Sequence, residues 1–128
     1  MPSRIDDGTI PNVAWLLRRI HPLQVVMDKN GGHYRPSSAA FKDPELSVDA
    51  ELVLHSLGFD WRFSIQQHPT HSLVKFMAKA ARELQLPVVL DELPDNKSHT
   101  LVLGKKTSGK ANKLRDSSSW VRCLPPSL

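Results

Sequence analysis

The chain predicts one α+β domain: a mixed or antiparallel sheet of four to five strands, packed with about four helices, in the order α-β-(β)-α-β-α-β-β-α. Three observations predict it. The 128-residue length suits one domain, placed at residues 11–123 between flexible ends at 1–10 and 124–128. A 40% apolar content is enough for one core, and the single Cys123 excludes an internal disulfide and a multi-cysteine metal site. Short β-like runs also alternate with stretches of helical periodicity along the chain.

The elements follow in order. Asn12 begins a first helix whose apolar face is Val13, Leu16, Leu17 and Ile20, with Arg18 and Arg19 in its last turn. His21-Pro22 ends it. Residues 23–28 form a strand, 29–32 a turn, and 33–45 a loop with a short strand near 39–42. Ser47 caps a second helix, with Ala50, Val53, Leu54 and Leu57 inward and Gly58 as its stop. Trp61, Phe63 and Ile65 alternate with Arg62, Ser64 and Gln66, a pattern for a half-buried strand over 61–67. Thr70 caps a third helix carrying the stripe Leu73, Met77, Ala80 and Leu84. Strands at 87–92 and 99–104 flank a turn at 93–98, and a last helix runs from about Gly109 to Ser118.

Charge points to an anionic partner. Residues 104–123 hold six cations and one anion, a net +5 within a chain of +4. Such a localised basic segment suits phosphate, a nucleotide or a nucleic acid, or an acidic protein partner. No apolar run approaches the roughly 20 residues of a membrane span, so no membrane partner is expected. The polar start of the chain does not resemble a signal peptide, and a reducing, cytoplasmic setting is expected.

Gly104, Gly109 and Lys110 spell G-x-x-x-x-G-K between a strand and a helix, and "VVLDE" at 88–92 could supply a magnesium-binding acid. Three features oppose nucleotide hydrolysis. Ala111 stands where the metal-binding hydroxyl belongs, and only 24 residues follow Gly104. The six-residue connection between the flanking strands favours an antiparallel hairpin, because a parallel crossover needs about a dozen residues. That hairpin puts Asp91 and Gly104 at opposite ends, roughly 16 Å apart. What remains is an anion-binding candidate at a helix start: Lys106, Thr107, Ser108, Gly109, Lys110 and Lys113. Thr107 or Ser108 equally suits a helix cap.

The candidate catalytic residues lie in two groups. In "NGGHYRPSS" (30–38), His33 suits acid–base chemistry, Arg35 can grip a phosphate or carboxylate, and Ser37 and Ser38 offer hydroxyls. His68, His71 and His99 are the other candidates. His68 and His71 sit three apart, but no third ligand is near in sequence, so no metal is assigned and no cofactor is implied. The expected activities are a phosphate-binding module, a His/Arg/Ser transferase or hydrolase of a nucleotide or other phosphate-containing substrate, or a docking protein for an acidic partner. Trp120 is the one aromatic placed to stack beside the basic segment.

Overall fold

The computed structural model describes residues 6–28 and 30–125. Residues 1–5 and 126–128 of the expected flexible ends lie outside the described residues. Asp6 to Ile10 are tied down instead: Asp6 accepts from Arg82 and from the Val88 amide, and Ile10 is buried.

The α+β class is as expected. Among the described residues there are eight strands and four helices. The strands are β1 (Trp15–Ile20), β2 (Val25–Met27), β3 (Tyr34–Pro36), β4 (Glu45–Ala50), β5 (Ser72–Met77), β6 (Val88–Leu90), β7 (His99–Leu103) and β8 (Ser119–Arg122). The helices are α1 (Glu51–Ser56), α2 (Arg62–Ile65), α3 (Ala78–Glu83) and α4 (Ser108–Ser117). Six strands form one antiparallel sheet in the order β6-β7-β4-β1-β5-β8, and β2 pairs with β3 as a separate hairpin.

From β6 to α4 the chain follows its sequence signals, and the edge strand β8 after it was not expected. β6 and β7 form the expected antiparallel hairpin, with Leu90 opposite Thr100 and the Asp91 amide bonded to the His99 carbonyl. α4 begins after Thr107, whose hydroxyl accepts from the Lys110 amide. α1 ends as Gly58 predicts: Gly58 takes φ +83°, its amide reaches His55 O, and the Phe59 amide reaches Leu54 O.

Five segments differ from expectation. Residues 15–20 are a strand, not a helix, because β1 lies mid-sheet and is buried on both faces. Leu16 and Ile20 join the main core while Leu17 joins a second one, so the pattern loses its period of two and mimics a helix. The same holds at 72–77: Val74 and Phe76 face the main core and Leu73 the second, so only Ala78–Glu83 of the expected third helix is helical. Ser47 lies inside β4 rather than at a helix cap; Leu46, Val48 and Ala50 are buried on one face, and helix starts at Glu51. Residues 62–65 form a short helix instead of a strand, because Asp60 Oδ1 accepts from the Arg62 amide at 2.9 Å and starts the turn. Residues 38–41, where a short strand near 39–42 was expected, form a 3₁₀ turn that Ser37 caps.

The main core lies on one sheet face, where α3, α4 and the 38–41 turn cover Phe41, Phe76, Leu46, Val74 and Val88. The opposite face carries the smaller cluster of Leu17, Leu54, Ile65 and Leu73 under α1 and α2. The polar residues of that second face bound the cleft described next.

Candidate functional site

β1 and β4 are paired only at their first contacts, Leu16 with Ala50 and Leu17 with Asp49. Beyond them the strands splay. Continuing the register sets Arg18 opposite Val48 and Arg19 opposite Ser47. Arg18 closes the splay from the core side: its Nη1 donates to Ser47 O at 3.0 Å and its Nε to Ala40 O at 3.1 Å. Burial lowers its pKa, with the Arg19 charge adding to the effect. On the other face the gap opens as a cavity of about 180 Å³ lined by Leu17, Arg19, Ser47, Val48, Asp49, Leu93 and His99.

A row of polar side chains runs from β4 across β7 to the end of β6 at this cavity. Ser47 Oγ is 3.1 Å from His99 Nε2, and His99 Nδ1 is 3.1 Å from Asp91 Oδ2 and 3.0 Å from Asp91 O. Both neighbours of Nδ1 are acceptors, and a backbone carbonyl can be nothing else. In the neutral ring Nδ1 therefore carries the proton, which leaves the Nε2 lone pair to accept from the Ser47 hydroxyl. The His99 side chain is 16% exposed and Asp91 is 42% exposed, so the ring is held inside while its carboxylate meets water.

The wall of the cleft is fixed by Asp49, which is only 4% exposed. Its carboxylate accepts from Ser64 Oγ at 2.6 Å, Asn96 Nδ2 at 2.8 Å and Ser98 Oγ at 3.2 Å. These donors come from α2, from the 93–98 turn and from the residue before β7. One buried carboxylate thus pins both flanking segments to β4. A second cavity of about 340 Å³ continues beyond Arg19, lined also by Phe63, Ser64, Gln66, Gln67, His68, Asp95 and Asn96.

His68 and His71 lie at the Arg19 end. The His71 ring stacks edge-on with His21 and His68, at centroid distances of 5.2 and 5.0 Å. Burial, followed by neighbouring positive charge, lowers the pKa of both His68 and His71, which disfavours their charged forms. Among the described residues no group of three or more His, Cys, Asp or Glu side chains is arranged to hold a metal ion.

The 30–38 loop is elsewhere. Trp120 of the sheet-edge strand β8 donates to Tyr34 O, whereas β7 lies toward the other edge. His33 pairs with Asp28 at 3.3 Å and is exposed; Ser37 Oγ accepts from the Ala39 amide, and Ser38 starts the 3₁₀ turn. Arg35 and His33 line a cavity of about 240 Å³ with Arg115, Asp116 and Trp120. That cavity shares no lining residue with the Ser47 cleft, and it meets the C-terminal end of α4 rather than residues 104–110. The Asp28 carboxyl there is held below its usual range, chiefly by the Asn30 amide.

The lysines before and within α4 divide. Lys106 is buried, and its ammonium donates to Val102 O and Gly104 O, both at 2.8 Å. Burial lowers its pKa to about 8. Its charge is thus used within the fold. Ser108 and Gly109 are exposed at the first turn, Lys110 is half-buried and Lys113 is exposed.

Ser47, Asp91, Arg19 and Asp49 were missing from the sequence-derived site. Their signal was the alternation of Leu46, Val48 and Ala50 with Ser47 and Asp49, which a strand reading of 45–50 would have turned to one face. No helix among the described residues is long and apolar enough to cross a membrane. No protein-family model matches the chain, and no curated protein or solved structure matches it significantly.

Proposed function

We propose that the protein is a serine-dependent ester hydrolase or acyl transferase, with Ser47 as nucleophile, His99 as general base and Asp91 as the group that orients His99. The observation that carries this reading is the linked pair of contacts at 3.1 Å, Ser47 Oγ to His99 Nε2 and His99 Nδ1 to Asp91 Oδ2, with the tautomer fixed by the Asp91 carbonyl.

The chemistry follows from that order. Ser47 Oγ attacks the ester carbon while its proton passes to His99 Nε2, and the resulting imidazolium is stabilised by Asp91. Collapse of the tetrahedral adduct breaks the bond to the leaving oxygen, which takes the proton from Nε2. Water, or an acceptor alcohol, then enters by the same route. His99 removes its proton, the Ser47 ester bond breaks, and the hydroxyl is restored. The reducing, cytoplasmic setting read from the sequence is compatible with this chemistry, which uses no disulfide.

A fluorophosphonate probe followed by intact-protein mass and peptide mapping tests the reading. The expected result is one adduct on Ser47, lost in Ser47→Ala and strongly slowed in His99→Ala. Labelling that persists in Ser47→Ala, or no labelling of the folded wild-type protein, would refute it.

The basic strand–helix segment supports a second reading, phosphate or nucleic-acid binding, through Lys105 and Lys113, which are exposed. Its mark is a linear fall of log affinity with log salt, made shallower by Lys113→Ala.

A further inference from the structure

We infer that Arg19 is the anchor for an anionic group of the substrate, so that the substrate class is an ester bearing a carboxylate or phosphate beside its scissile bond. This rests on the proposed hydrolase reading and narrows it.

Four observations meet at this side chain. Register places Arg19 across the splay from Ser47, on the same sheet face. It lines both cavities. It is half-buried, yet among the described residues no carboxylate lies within ion-pair distance of it. Among the described residues its side chain makes one hydrogen bond, a long one, Nη1 to Ser64 O at 3.3 Å. A guanidinium has five N–H donors in a fixed fork that fits a carboxylate or phosphate edge with two parallel bonds.

The nearby acids do not fill that role. Asp49 already accepts from Ser64, Asn96 and Ser98. Asp95 lines the second cavity from an exposed turn position and makes no ion pair with Arg19. On the remaining side stand the imidazoles of His68 and His71, which add no negative charge. A partly desolvated cation with free donors is stabilised by an anion brought to it. An ester whose anionic end meets Arg19 would present its carbonyl to Ser47, with the other end of the molecule in the cavity lined by Gln66, Gln67 and Asn96.

The test compares a neutral ester, p-nitrophenyl acetate, with its anionic counterpart, the p-nitrophenyl monoester of succinate, on wild-type protein, Arg19→Gln and Arg19→Lys. The expected result is a wild-type preference in kcat/KM for the anionic ester on the order of 10- to 100-fold. Arg19→Gln should lose that preference while still hydrolysing the acetate, and Arg19→Lys should recover part of it. Equal rates on both esters, or a preference kept in Arg19→Gln, would overturn the inference and leave the hydrolase reading standing. Turnover of neither ester would count against the hydrolase reading, and equilibrium binding of succinate and inorganic phosphate then decides the inference alone. Binding that Arg19→Gln abolishes supports it; no binding, or binding unchanged in the variant, overturns it. Arg19→Lys keeps the charge at the site should Arg19→Gln fail to fold.

Discussion

Raising the pH should stabilise this protein through one buried lysine. The Lys106 ammonium sits under the β7–α4 connection, its residue 6% exposed, and donates to two carbonyls. Desolvation lowers its pKa from 10.5 to about 8; the Asp43 charge opposes the fall, and the Arg18 and Lys110 charges add to it. The unfolded chain restores the ordinary value. Between about pH 8 and 10.5 the unfolded state therefore holds the proton that the folded state has released, and stability rises with pH across that window. Below about pH 8 both states are protonated and the cost of burying the charge is fully present. At about 1.4 kcal/mol per pH unit, the full gain is on the order of 3 kcal/mol. Other groups titrate there too, so the measurement is a difference. Urea unfolding of wild type and Lys106→Met at about pH 7, 8.5 and 10 should show the wild type gaining roughly 2.5 kcal/mol on the variant by the highest pH. Parallel pH profiles for the two proteins would refute the reasoning, and would mean that water reaches the ammonium in the folded state.

Two further substitutions test the frame of the site. Asp49→Asn keeps the shape and an amide oxygen for Asn96 and Ser98, but its new amide nitrogen forces the Ser64 hydroxyl to accept instead of donate, and all three bonds lose their charge assistance; unfolding should report a loss of about 2 kcal/mol. Gly58→Ala meets open space, yet its φ of +83° is left-handed, so a cost of about 1–2 kcal/mol should appear in Tm, and Gly58→Asn should recover part of it.

The legible parts of the fold were those governed by neighbours along the chain. Gly58 stopped α1, Thr107 capped α4, and a connection too short for a parallel crossover, eight residues in the structure, forced β6 and β7 antiparallel, which separated Asp91 from the "GKKTSGK" loop. Each depends on backbone dihedrals or turn length within a few residues, so one sequence suffices. β1 and β5 were illegible for the opposite reason. Leu16 and Leu17, like Leu73 and Val74, enter different cores on opposite sides of the sheet, and an apolar run buried on both faces carries no period to distinguish strand from helix.

The site divides along the same line. Sequence alone marked His99 as chemically capable and confined the positive charge to the C-terminal segment. Tertiary structure decided what His99 serves, because Ser47 lies 52 positions before it and Asp91 eight before, and only the β4–β7–β6 pairing brings them into one row. It also decided that Lys106 spends its charge on its own carbonyls, while Arg19, which a helical reading makes an ordinary surface cation, stands half-buried at a splay between strands. Local propensity sets where a chain turns and caps; long-range strand register, a property of pairs far apart in sequence, sets which side chains meet.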